Sequence, residues 1–132
     1  MFSKDTMIGV FIGLANCEIR VESDYRSTLG YTIKPKLQIR AEMPFLNQVS
    51  RSLWQVGISS HIREIESKLR KKPILTISRI SSLKIISDMI PLEYADARNQ
   101  WSDFRTIIEL MYNKKHLTLE GLDEILKIKG LI

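Results

Sequence analysis

Residues 32 to 41 alternate without a break, and that alternation constrains the fold more than any other stretch of the chain. Ile33, Pro35, Leu37, Ile39 and Ala41 hold one parity; Thr32, Lys34, Lys36, Gln38 and Arg40 hold the other. Successive side chains of a strand point to opposite faces, so this segment reads as a strand with one buried and one polar face. Such a strand belongs to an antiparallel sheet that is covered on one side only. Pro35 has no N–H to donate, which places the strand at an edge or delays the start of its ladder. The even residues would project donors about 6.6 Å apart.

The segment before it supplies a partner. Cys17 to Ser23 also alternates, with Ile19 and Val21 on one side and Glu18, Arg20 and Glu22 on the other. Asp24 to Gly30 is a polar turn. Upstream, Asp5 or Thr6 would N-cap a helix whose apolar side runs through Met7, Val10, Phe11 and Leu14, with Asn16 as its stop. Downstream, Pro44 opens a second helix carrying Phe45, Val49, Leu53 and Val56 on one side and ending at Gly57. His61 to Glu66 and Ile74 to Ile80 read as a second hairpin. Its connection, residues 67 to 72, carries Lys68, Arg70, Lys71 and Lys72. Ser81 and Ser82 would cap a short helix from Leu83 to Ile90, stopped by Pro91. Ala95 to Lys115 reads as one long helix with Trp101, Phe104, Ile108 and Met111 at helical spacing. A last helix, N-capped by Thr118, reaches Lys129.

The length of 132 residues suits one domain with a sizeable core, and no linker or repeat divides it. The net charge of +5 favours a polyanionic partner. A single cysteine, Cys17, excludes an internal disulfide and fits a reducing compartment. No apolar run is long enough to span a membrane, and the short run from Met7 to Leu14 lacks the flanks of a signal peptide. A cytoplasmic protein is expected, associated with the nucleoid if it binds DNA. Abundant Ile, Lys, Arg and Glu with few Gln hint at a thermophile.

The stretch Ile8-Gly-Val-Phe-Ile-Gly-Leu-Ala-Asn16, followed at once by the strand from Cys17, resembles the signature helix and first strand of the LAGLIDADG homing endonucleases. A second match lies at the end. Residues 101 to 111, then 114 to 122 and 125 to 129, look like the C-terminal helices of single-motif members. The element order, helix-β-β-helix-β-β-helix, is that family's. The resemblance implies an α/β (α+β) fold over residues 1 to 132, in which an antiparallel sheet forms a saddle along the DNA major groove. It implies a homodimer whose motif helices pack together through Gly9, Phe11, Ile12 and Gly13. Small residues let two backbones approach, as Gly9 and Gly13 would here.

On that resemblance the saddle residues are Arg20, Lys34, Lys36, Gln38, Arg40, His61 and Arg63. Arg and Lys donate to guanine, and Gln pairs with adenine. Lys68, Arg70, Lys71 and Lys72 would clamp phosphates. Glu18 and Glu22 count against a uniformly basic saddle, because carboxylates repel the backbone except where they accept from cytosine. Cleavage in the family requires a motif acid that holds divalent metal, and the matching position is Ala15. Glu18 is the one nearby acid that would replace it. The family's solvent-positioning glutamine falls near Ala41, and its assisting lysine near Ala97, with Arg98 beside it. No metal-ligand spacing of His, Cys and Asp is present, and His116 reads as a helix C-cap.

The leading expectation is a sequence-specific double-stranded DNA-binding protein derived from such an endonuclease, without cleavage and without a cofactor, serving as a transcriptional regulator. A dimer would prefer a pseudo-palindromic site of about two helical turns. One alternative is an active endonuclease using Glu18 and Mg²⁺. Another is an RNA-binding intron maturase, gripping structured RNA by shape and phosphate contacts.

Overall fold

The computed structural model describes residues 1–95 and 99–132. The chain runs α1 (Lys4–Leu14), β1 (Ala15–Ser23), β2 (Tyr31–Arg40), α2 (Met43–Gln55), β3 (His61–Arg63), β4 (Ile74–Ile77), α3 (Ile80–Met89), α4 (Leu92–Ala95), α5 (Gln100–Tyr112), a 3₁₀ turn (Lys115–Leu117) and α6 (Leu119–Ile128). The four strands form one antiparallel sheet in the order β1-β2-β4-β3. The helix-β-β-helix-β-β-helix order expected from the sequence is therefore present, as a mixed α+β fold.

The alternation in β2 does what it foretold. Ile33, Leu37 and Ile39 are buried, and Ile39 pairs across to Ala15 on one side and Leu75 on the other. Helices cover this inner face. Phe11, Leu46, Leu53, Leu83, Ile86, Trp101, Phe104 and Ile108 all join the same core. Trp101 and Phe104 meet edge to face, with ring centroids 6.0 Å apart, a preferred aromatic arrangement. The outer face of the sheet carries the polar parity.

Several boundaries differ from the sequence expectation, each for a local reason. Ser3, not Asp5 or Thr6, caps α1, its Oγ accepting from the Thr6 N–H at 3.2 Å. Asn16 is not a left-handed stop: the chain passes at Ala15 straight into extended backbone, so helix and strand share no loop. Pro35 sits in a strand flanked on both sides, but β4 joins β2 only from Leu37 onward. α2 is as expected, with Pro44 in its first turn and Gly57 at φ +81 just beyond it, though Val56 lies exposed. The second hairpin is shorter than expected. α3 begins at Ile80, ahead of the two serines, with no side-chain cap.

The expected single helix from Ala95 to Lys115 is divided. Asn99 caps a fresh start, its Oδ1 accepting from the N–H groups of Trp101 and Ser102 at 2.9 and 3.3 Å. α5 then ends at Tyr112, and Lys114 takes a left-handed conformation at φ 59 that turns the chain. His116 does not cap α5. Its Nδ1 is buried without a hydrogen-bond partner among the described residues, and burial holds the imidazole pKa below its usual value. Thr118 caps α6 as foreseen, its Oγ1 accepting from the Gly121 N–H at 3.1 Å. Gly121 is obligatory on packing grounds, because a Cβ there would run into the Lys115 carbonyl. Among the described residues no helix is long and apolar enough to cross a membrane.

Candidate nucleic-acid interface

The outer sheet face is organised in cross-strand rows, because register places partners side by side. One row of amide, hydroxyl and imidazole side chains crosses all four strands: Asn16 lies opposite Gln38, Gln38 opposite Thr76, and Thr76 opposite His61. Gln38 is closed in by its neighbours at 8% exposure, so it is recessed rather than projecting like the tip of a ladder. A second row sets Arg40 and Arg63 on either side of Ile74. The rows toward the β1–β2 turn set Glu18 opposite Lys36, Arg20 opposite Lys34 and Glu22 opposite Thr32.

The cations of β1 and β2 are not free. Lys36 lies 3.5 Å from Glu18, which lies 3.6 Å from Arg20. Arg20 lies 3.6 Å from Glu22, which lies 3.0 Å from Lys34. Arg40 makes two hydrogen bonds to the Glu66 carboxylate, at 2.7 and 3.0 Å, and Arg70 approaches the same group at 3.7 Å. Hydrogen bonding to Arg40 holds the Glu66 carboxyl below the usual carboxylate range, and hydrogen bonding to Lys34 does the same for Glu22. Sequence reasoning missed Glu66 as a partner, because a bond across 26 residues leaves no local signal. His61, Arg63, Lys68, Lys71 and Lys72 are exposed and have no salt bridge among the described residues. Along the sheet and its two hairpin connections, Arg63, Lys68, Lys71 and Lys72 are therefore the cations without an acidic partner among the described residues.

The foot of α1 holds a second finding. Ala15 is buried at 6% exposure and shares its face with Ile39, so its methyl points into the core. The neighbouring Asn16 is the residue that turns to the polar face. Glu18 is already engaged by Lys36 and Arg20. No group of three or more His, Cys, Asp or Glu among the described residues is placed to hold a metal ion. Ala97 and Arg98, the positions matched to the assisting lysine, lie outside the described residues. Burial pushes the Cys17 thiol up to about 12, which leaves it unreactive at neutral pH.

Gln100 braces this junction, and no sequence pattern pointed to it. Its Oε1 accepts from the Cys17 N–H and its Nε2 donates to the Ala15 carbonyl, both at 2.9 Å. β1 is an edge strand, and the carboxamide takes the place of a neighbouring backbone there. Replacing Gln100 with Ala should lower the unfolding free energy by about 1–3 kcal/mol, the worth of two such bonds. Urea denaturation reads this directly, and a midpoint equal to that of the parent would show that water substitutes fully.

The exposed side of α1 is unusual in a different way. A methyl group built on Gly9 or Gly13 would meet nothing within 4 Å, so the monomer's own packing does not call for either glycine. Ile12 is half-buried beside them, whereas Phe11 is wholly buried in the core. Phe11 does not fit the expected interface set, because its side chain is spent in the chain's own core.

No family model matches the chain, and no curated protein matches it. Solved structures do. The homing endonuclease I-TnaI is 22% identical, with a TM-score of 0.74 over 97% of this chain and 85% of that one. The archaeal intron-encoded homing endonuclease I-Vdi141I, complexed with DNA, is 18% identical, with a TM-score of 0.76 over 95% of this chain and 78% of that one. The LAGLIDADG meganuclease I-CpaMI, bound to uncleaved DNA, is 20% identical, with a TM-score of 0.76; 98% of this chain covers 45% of it, so the chain spans about half its length. The helix leading directly into an antiparallel hairpin, the polar outer face and these likenesses together give one result: this chain has the LAGLIDADG homing-endonuclease fold.

Proposed function

We propose that the chain is a sequence-specific binder of double-stranded DNA that reads its site with the outer sheet face and does not cut it. The observation that carries this reading is the pairing of a polar, cation-bearing sheet face with a buried methyl, Ala15, where the family motif has its metal-binding acid. Without that carboxylate, neither metal nor attacking water is held at the foot of α1. Two chains pack through α1, with Gly9, Ile12 and Gly13 at the contact. Glycine inside a helix costs about 1 kcal/mol relative to alanine, and close backbone approach is a reason to keep two of them. A two-fold dimer would read a pseudo-palindromic site. Transcriptional regulation is the role that suits a reader without a cutting step.

Selection of bound duplexes from a random library, with and without Mg²⁺, tests this. The expected result is an enriched, pseudo-palindromic site recovered intact in both conditions. Enrichment followed by Mg²⁺-dependent cleavage would instead establish an active endonuclease. That second reading draws support from the solved neighbours, which include proteins named as homing endonucleases. Failure to enrich any duplex, with retention of structured RNA, would move the function to RNA. For the dimer, Gly13→Leu should yield monomer by sedimentation, and an intact dimer would remove α1 from the interface.

A further inference from the structure

The charges of the first hairpin form an alternating chain of five groups: Lys36, Glu18, Arg20, Glu22 and Lys34, in that spatial order. Each link is 3.0 to 3.6 Å. All five belong to the polar parity of β1 and β2, and all are partly open to solvent. Exposed ion pairs are worth roughly 0–1 kcal/mol each, so the network is easily rearranged and stability does not explain it. Its consequence is electrostatic. Three cations that would each take up a phosphate are balanced by two carboxylates held among them.

We infer that Glu18 and Glu22 are specificity-determining residues of the DNA-reading face, restraining Arg20, Lys34 and Lys36 on arbitrary duplex and accepting from amino-bearing bases at the correct site. This deepens the DNA-binding reading above and rests on it. On arbitrary sequence, a phosphate that recruits Lys34 or Lys36 must also approach a carboxylate, and the repulsion offsets the gain. At a matched site, each carboxylate faces the N4 amino group of cytosine or the N6 amino group of adenine in the major groove. The cations then turn to phosphate or to guanine without leaving an uncompensated acid. Geometry fixes the spacing. Glu18 and Glu22 are four residues apart on one strand face, about 13 Å. That matches about four base steps of 3.4 Å along one DNA strand. Arg20 lies midway and suits a guanine between them.

The test is the double variant Glu18→Gln with Glu22→Gln, which keeps side-chain size and hydrogen bonding. Its affinity for a random-sequence duplex is measured against salt concentration and compared with the parent chain. Two controls accompany it. Glu120→Gln with Glu124→Gln removes the same charge from α6, and Lys71→Gln with Lys72→Gln weakens the β3–β4 connection. The inference expects the Glu18/Glu22 variant to bind random duplex on the order of tenfold tighter or more near 0.15 M salt. Its log–log salt slope should steepen by about 2–3, at 0.9 for each cation released to phosphate. Preference for the selected site should fall, with base identity relaxed at two positions about four steps apart. The α6 control should change little. An unchanged slope, or an equal effect from α6, would overturn the inference while the lysine control still weakened duplex binding. If no chain bound duplex and the lysine control changed nothing, the DNA-binding reading itself would have failed, and this inference with it.

Discussion

Phe104→Ala should lower the unfolding free energy by about 3–5 kcal/mol, a large part of the roughly 5–15 kcal/mol that holds a domain of ordinary size. Phe104 is 1% exposed and meets Trp101 edge to face. It lies on α5 beneath the β1 edge, lining a groove with Cys17, Ile19 and Gln100. Truncation would open a cavity that neighbours held in rotamer minima cannot refill. The loss would fall on the strand that carries Glu18, Arg20 and Glu22. Urea denaturation of Phe104→Ala beside Leu117→Ala separates core from surface, because Leu117 is 65% exposed and its truncation should cost within about 0.5 kcal/mol. A loss under about 1 kcal/mol for Phe104→Ala would mean that α5 is not a pillar of the sheet.

The same residues show what a sequence makes legible. The buried parity of β2 is readable because period two is local and unbroken from Ile33 to Ile39. The helical spacing of Trp101, Phe104, Ile108 and Met111 likewise reports a buried helix face. The start of that helix is easily misplaced because apolar spacing continues past a cap, although Asn99, two residues before Trp101, carries the capping signal. Long-range partners are not legible at all. Gln100 reaches back 83 residues to Cys17, and Glu66 reaches back 26 to Arg40. Whether a cation on a sheet face is free or paired depends on such partners. Hence the ladder of Lys34, Lys36 and Arg40 reads as a basic surface, while the folded chain pairs every member of it with an acid. The orientation of Ala15 is hidden for a similar reason: only the pairing with Ile39 settles which face its methyl takes.

On the DNA-binding reading proposed above, charge pairing also decides which cations dominate affinity. Replacing Lys68, Arg70, Lys71 and Lys72 together with Gln should flatten the log–log salt dependence of duplex binding by about 3–4, at 0.9 for each phosphate no longer neutralised. Near 0.15 M salt that corresponds to an affinity loss on the order of a hundredfold to a thousandfold. Three of the four have no acidic partner among the described residues, and the fourth, Arg70, is only loosely engaged by Glu66 at 3.7 Å with its side chain 65% exposed. No acid among the described residues pairs with Lys68, Lys71 or Lys72, so these three are open to phosphate. The stability of the chain should hold within about 0.5 kcal/mol, because exposed loop substitutions remove no packing. The selected base sequence should also persist, since phosphate contacts position a protein without reading bases. Lys34→Gln with Lys36→Gln should act differently. Those lysines already face Glu22 and Glu18, so their removal should cost less affinity per charge and disturb base preference more. Filter binding across a salt series, followed by selection with each variant, measures both effects. An equal slope change per charge removed in the two variants would mean that the ion pairs of the first hairpin dissolve on meeting any duplex. A shifted consensus in the loop variant would mean that the β3–β4 connection reads bases, so that recognition extends along the whole sheet rather than dividing between the two hairpins.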